Sequence, residues 1–177
     1  MANCTPVTLS NIAVECGNNV GGIKRVIAQN FADVAGVTVT DGKITAFTMA
    51  AAAPEAATFD FRKQTGSLSS EYTIDDAAGV KYVTNTLSLR FAKMDTAKRT
   101  AFMAMANGEL ALIVLDNNGR YWYLGKDAAV TLSAGTGNTG TAFGDANEYA
   151  PSLADMSAEM PYEVAAAAVE TFINEGD

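Results

Sequence analysis

The chain has no histidine at any of its 177 positions. That absence removes Ser-His-Asp and Cys-His nucleophilic machinery in their ordinary form, and HExxH zinc sites with them, because each uses imidazole as base or ligand. Cysteine is scarce as well. Cys4 and Cys16 fall short of the four ligands of a zinc ribbon and stand either as a disulfide pair or as two reduced thiols. Long apolar runs are also missing: no strictly apolar stretch, residues 110–115 and 164–169 among them, approaches the roughly 20 residues that carry a helix across a bilayer. The opening Met1-Ala2-Asn3-Cys4-Thr5-Pro6 has neither a basic nor an apolar region, so no secretory signal is visible. Synthesis in a cytoplasm, with no membrane anchor, is the expectation.

Positive charge runs out along the chain. Twelve Lys and Arg stand against 20 Asp and Glu, a net charge of −8, and the last base is Lys126. Nine of the acids follow it, from Asp127 to Asp177, which leaves 20 − 9 = 11 acids against all 12 bases in the first two thirds. Such asymmetry implies a subunit with two electrically different ends, a help to identical copies meeting head to tail, or else an acidic surface selected for solubility. Either way the chain lacks the clustered Lys and Arg that wrap DNA.

What is present reads as β structure. A hydrophobic content of 49% lets a single domain over residues 1–177 bury a sizeable core. Residues 23–29 read as a strand, and 37–40 and 43–49 as a hairpin on Asp41-Gly42, a preferred two-residue turn. The alanine-rich 50–56, interrupted by Pro54, reads as a loop; in 58–63, Phe59 and Phe61 share one face. Two long runs, 67–74 and 80–91, joined by Asp75-Asp76-Ala77-Ala78-Gly79, predict a long hairpin arm over 67–91. In its second strand Val83, Asn85, Leu87, Leu89 and Phe91 face away from Tyr82, Thr84, Thr86, Ser88 and Arg90.

A helix is predicted over 95–107, with Asp95 as N-cap, Gly108 just past its end and an apolar stripe of Ala97, Ala101, Phe102 and Met105. Lys98 and Arg99 sit at the unfavourable end of its dipole, facing either solvent or acidic groups elsewhere, another subunit included. Residues 110–115 read as a strand buried on both faces, turned back at Asn117-Asn118-Gly119 into 120–124. The glycine-rich 134–146 reads as a flexible loop, 147–155 and 160–164 as strands, and 164–174 has helical composition. The sum is mainly β: an antiparallel β-sandwich or barrel with one flanking helix, a long hairpin arm and a C-terminal helix.

The remaining chemical signals are weak. Asp75-Asp76 is the obvious carboxylate pair, yet neighbours on a strand point to opposite faces and in a turn they are solvated. Gly135-Thr136-Gly137-Asn138-Thr139-Gly140 imitates GxGxxG without the helix start that would present N–H groups to a pyrophosphate. Asp116-Asn117-Asn118-Gly119 lacks EF-hand spacing. Trp122 between Tyr121 and Tyr123 is a candidate sugar or base platform, but alternation puts it on the other side from both tyrosines, with one side in the core. No catalytic residue, cofactor site or metal site is expected.

Four segments carry a resemblance: residues 61–70 (Phe-Arg-Lys-Gln-Thr-Gly-Ser-Leu-Ser-Ser), 93–99 (Lys-Met-Asp-Thr-Ala-Lys-Arg), 116–125 (Asp-Asn-Asn-Gly-Arg-Tyr-Trp-Tyr-Leu-Gly) and 160–164 (Met-Pro-Tyr-Glu-Val). With most of residues 7–165 they resemble virion structural proteins of tailed bacteriophages, and the layout is most similar to a tail tube protein. That resemblance implies a homohexameric ring, stacked with others, in which hairpins and neighbouring strands join into an inner β-barrel and DNA is transient cargo in the lumen. It implies contacts with other virion proteins and a location in the virion after synthesis in the bacterial host cytoplasm. Capsid decoration or head-tail connector proteins share the composition, and a carbohydrate-binding adhesin module is the more distant alternative. Under the tail tube reading the arm bridges the ring through Ser67, Leu68, Glu71, Tyr72 and Ile74 on one strand and Tyr82, Thr84, Leu87 and Leu89 on the other. Lys98 and Arg99 meet acidic groups of a neighbour, while the N-terminal residues and the loop of Gly135, Gly137 and Gly140 mediate stacking.

Overall fold

A strand that is apolar at every position needs cover on both sides, and the fold is arranged around that demand. The structure is a computed structural model that describes residues 9–14 and 16–173. Its strands are β1 (Ile23–Asn30), β2 (Val34–Thr40), β3 (Lys43–Met49), β4 (Ala57–Asp60), β5 (Gly66–Asp75), β6 (Val80–Leu89), β7 (Phe91–Ala92), β8 (Leu110–Asp116), β9 (Tyr121–Leu124), β10 (Thr131–Asn138), β11 (Glu148–Ser157) and β12 (Tyr162–Val164). Two α-helices, α1 (Thr96–Asn107) and α2 (Ala166–Ile173), complete it, with a 3-10 turn at Phe31–Asp33.

The strands form two sheets. Sheet one has seven in the order β2-β3-β12-β9-β8-β1-β4, antiparallel except for the β3/β12 pair. Sheet two is β10-β11-β6-β5, antiparallel throughout, with β7 added beside β11. One bridge between Leu110 and Val130 joins the sheets at a corner, so the molecule is a sandwich rather than a closed barrel.

In sheet one β8 is buried along its middle, as its sequence requires. Leu112 and Val114, with Val26 and Ala28 opposite them on β1, face sheet two and meet Leu87, Leu89 and Leu153. Ala111 and Ile113 point the other way, into a second core closed by Ala168, Val169 and Phe172 of α2. The C-terminal helix thus makes a third layer; the ring of Phe172 stands edge-on to Phe47 with centroids 4.9 Å apart. Helix α1 sends only Met105 fully into the sandwich core.

Several local expectations hold. The Asp41-Gly42 turn has φ of 51° and 77°, the double left-handed conformation of a type I′ hairpin. Asp95 caps α1 by accepting the Lys98 N–H at 2.8 Å. Phe59 and Phe61 both reach the Phe91 ring, at 5.7 and 5.4 Å. No helix among the described residues is long and apolar enough to cross a membrane.

Two expectations change. The hairpin over 67–91 is not a free arm: β6 pairs with β11 from Val83 to Ser88, and only its distal end extends beyond that pairing. The acidic last third is also not all free charge, since three of its nine acids pair with bases. Strands β11 and β12 and the loop between them place these acids beside bases: Glu148 pairs with Arg90 at 3.1 Å and Glu159 with Lys126 at 3.0 Å. Glu163 lies between Lys43 at 2.8 Å and Arg120 at 3.3 Å. The bases of the first two thirds neutralise these acids across strand neighbours far apart in sequence. Cys4 lies outside the described residues, and with it the test of a pairing with Cys16, which is exposed.

Candidate assembly surface

A β-strand at a sheet edge leaves every second backbone N–H and C=O without a ladder partner, and such a row is a template for another strand. Sheet two has two such edges, β5 and β10. Alternation then sorts its faces. Val83, Asn85, Leu87 and Leu89 of β6 and Pro151, Leu153, Asp155 and Ser157 of β11 point inward and are buried. The opposite face carries Ser67, Ser69, Glu71 and Thr73 of β5, Tyr82, Thr84, Thr86 and Ser88 of β6, and Ala150, Ser152, Ala154 and Met156 of β11, in register across the strands. Charge on this face is confined to its margins, at Glu71 and Asp75 on the edge strand and at the Arg90–Glu148 pair. Asp75 is a turn cap, accepting the N–H groups of Ala77 and Ala78 at 3.0 and 3.1 Å.

The assembly residues expected from the sequence divide on this geometry. Ser67, Glu71, Tyr82 and Thr84 lie on the outward face. Tyr72 and Ile74 belong to the inward face of β5 but pass beyond the cover of sheet one, and they are 45% and 56% exposed. Leu68 is half-buried against the sandwich core. Leu87 and Leu89 are corrections: at 0% and 1% exposed they are core residues, because inward-facing positions of a central strand are covered by the opposite sheet.

Lys98 is corrected in part, since it binds its own helix start, with Nζ 2.5 Å from the Asp95 carboxylate and 3.0 Å from the Lys93 carbonyl oxygen. That contact sets an acidic partner against the adverse helix dipole. It also holds the Asp95 carboxyl below its usual range, through hydrogen bonds from Lys98. Arg99 is exposed, with no ion pair among the described residues.

The flexible glycine loop is the largest correction. Gly135 and Gly137 are strand residues of β10, opposite Pro151 and Tyr149. A Cβ on Gly135 would stand 2.4 Å from Cζ of Phe102, and one on Gly137 would stand 3.0 Å from Cε1 of Tyr149. These glycines are flat ground on which α1 and Tyr149 rest. Gly140 is a turn residue with φ of 72°. A strand and a packed turn leave no GxGxxG phosphate loop.

No family model, curated protein or solved structure matches this chain.

Function is therefore read from the surface and its cavities. The most enclosed polar site is a rung across sheet two, where Ser70, Asn85 and Asp155 lie opposite one another on β5, β6 and β11. Ser70 Oγ donates to Asn85 Oδ1 at 2.6 Å, and Asn85 Nδ2 donates to Ser157 Oγ at 3.2 Å. Asp155 Oδ2 accepts the Gly125 N–H at 3.2 Å, whereas Oδ1 is buried without a hydrogen-bond partner among the described residues. Burial pushes the Asp155 pKa up, against the pull of its hydrogen bonds. Burial likewise raises that of the neighbouring Tyr123 phenol. Beside this buried acid stand the hydroxyls of Ser70 and Ser157, the Asn85 amide and the Tyr123 phenol, and no Lys or Arg of the described residues is among its hydrogen-bond partners. Among the described residues no cluster of three or more His, Cys, Asp or Glu could hold a metal ion.

Sequence reasoning did not single out Asp155. An acid between Leu153 and Ser157 at the inward parity of an alternating strand is the signal that could have found it. Trp122 packs against the sandwich core and Tyr123 into the α2 core, so both sides of β9 are interior.

Proposed function

We propose that the chain is a non-enzymatic virion structural protein, a bacteriophage tail tube subunit whose copies join edge to edge into rings, stack, and conduct DNA through the lumen. The observation that carries this reading is sheet two, whose edge strands β5 and β10 have no outer strand partner among the described residues and whose outer face of Ser, Thr and Ala keeps its charges at its margins. An unpaired pair of edges is a liability for a monomer and is satisfied by a second copy. In a four-stranded antiparallel sheet the outer strands run in opposite directions, so β10 of one copy laid beside β5 of the next continues the antiparallel ladder. Six copies would close a barrel of about 24 strands, wider than the 16–18 that already leave an aqueous channel. A hydroxyl-lined wall without clustered Lys or Arg lets a polyanion slide, because it offers no set of phosphate contacts to break at each step.

The test is negative-stain microscopy and sedimentation velocity on the purified chain over a range of concentrations. Rings or tubes with a central opening are the expected result. A particle that stays monomeric at high concentration would overturn the reading.

A further inference from the structure

The turn from β10 into β11 holds an aromatic ring out in water. Phe143 has 114% relative exposure, yet the turn that carries it is tightly built. Asp145 Oδ2 accepts the N–H groups of Thr141 and Ala142, each at 2.8 Å, and the Asp145 N–H donates to the Ala142 carbonyl oxygen at 3.0 Å. Gly140 turns the chain at a positive φ where a Cβ would stand 2.4 Å from that of Asp145. A lone exposed apolar side chain is ordinary. One carried on a pre-ordered turn has already lost much of the backbone freedom that docking would otherwise cost.

At the opposite edge of sheet two, beside β5, the two sheets leave a cavity of about 410 Å³ walled by Ile23, Leu68, Val114 and Trp122. Several polar side chains at its mouth are already engaged, Ser70 with Asn85 among them. Asp116 accepts from the N–H groups of Asn118 and Arg120 and from Trp122 Nε1 at 2.8, 2.9 and 3.0 Å. The Asn118 side chain is bound to the Val20 N–H, the Val20 carbonyl oxygen and Asn19 Oδ1 at 2.9, 3.1 and 3.1 Å. With those groups engaged, most of what the cavity offers an occupant is apolar surface, from Leu68, Trp122 and Met160, beside the Ser67 hydroxyl.

We infer that this cavity receives Phe143 of a second copy of the chain, as the anchor of the edge-to-edge contact. The inference rests on the ring arrangement proposed above for how the copies meet. A knob at the β10 edge and a hole at the β5 edge make a heterologous contact, which repeats around a ring without self-pairing. The cavity lies beside Ser67, Leu68 and Ser70, which align across β6 with residues 152–155 of β11, while Phe143 lies before Glu148. Counted from Glu148, where β11 begins, the displacement is about 4–7 residues, or about 14–24 Å along a strand, and the turn that carries Phe143 projects beyond that level. Closing four-stranded sheets into a barrel with strands tilted about 35–45° shifts each copy along its neighbour's strands by about 13–19 Å, a step of the same size. An aromatic side chain in a desolvated pocket is the commonest kind of binding anchor.

Trp122 is the only tryptophan of the chain, so its emission reports filling of the cavity. Wild type, Phe143→Ala and Phe143→Leu are compared by sedimentation velocity and Trp122 fluorescence against concentration. Far-UV circular dichroism and melting check that the exposed substitution leaves the fold intact. Wild type is expected to associate with a blue shift of Trp122 emission, Phe143→Ala to associate at least about 30-fold more weakly with no shift, and Phe143→Leu to fall between them. If Phe143→Ala associates and shifts like wild type, the anchor is wrong while the ring reading stands. Assemblies that are not rings, but that Phe143→Ala abolishes, overturn the ring reading and leave the anchor. A wild-type chain that stays monomeric throughout overturns both.

Discussion

Replacing Gly135 by Ala separates a packed strand from a loose loop by the sign of its effect. The backbone of Gly135 is not left-handed, so alanine meets no conformational penalty there. In a flexible segment the change would be neutral or would stabilise by about 0.4–1 kcal/mol, through lost freedom of the unfolded chain. In this structure the new methyl would sit 2.4 Å from Cζ and 2.8 Å from Cε2 of Phe102, well inside contact distance. The ring cannot yield freely, because it also packs against Tyr149 with centroids 5.7 Å apart. Overpacking of this kind costs about 1–3 kcal/mol, so Gly135→Ala is expected to destabilise by that amount in urea denaturation followed by far-UV circular dichroism. The cause is checked by a cycle with Phe102→Ala. Removing the ring removes the clash, and the double variant is expected to be about 1–2 kcal/mol more stable than the sum of the single effects predicts. A Gly135→Ala protein as stable as wild type, or a penalty that persists undiminished in the Phe102→Ala background, would refute the packing argument.

Two further stability predictions concern the other core and the buried acid. Phe172, fully buried between Phe47 and Tyr123, carries the third layer, and Phe172→Ala should cost about 3–5 kcal/mol in the same denaturation assay; a loss under about 1 kcal/mol would mean α2 is not held by this ring. Asp155 keeps its proton to a higher pH when folded than when unfolded, so the folded state binds more protons in that window and stability falls as pH rises through it. Asp155→Asn should therefore be more stable than wild type at neutral pH, by about 1–3 kcal/mol. The gain should shrink as pH falls and level off below about 3, where the wild-type carboxyl is protonated in both states. A pH-independent difference, or a destabilised variant at neutral pH, would count against an ionised, uncompensated Asp155.

Short-range chemistry settled much of this fold in advance. The Asp41-Gly42 turn, the Asp95 cap, the alternation of residues 80–89 and the unbroken apolar run of β8 are each set within a few residues, by backbone sterics or by side-chain period, and each stands in the structure. The class of the fold followed from them. Tertiary structure alone decided which side of each alternating strand would be core and which elements would share it. Leu87 and Leu89 look the same in sequence whether they line an interface or an interior, and only the opposing sheet makes them interior. The glycines of β10 signal freedom in isolation and close packing once α1 lies across them. Three acids of the last third look like part of a charged end until β11, β12 and the loop between them carry them to bases more than 30 residues away in sequence, as with Lys126 and Glu159, 33 apart. Local preference acts within one turn or one strand, whereas the partner of a face, a ring or a charge is fixed by strand order, which no short window of sequence contains.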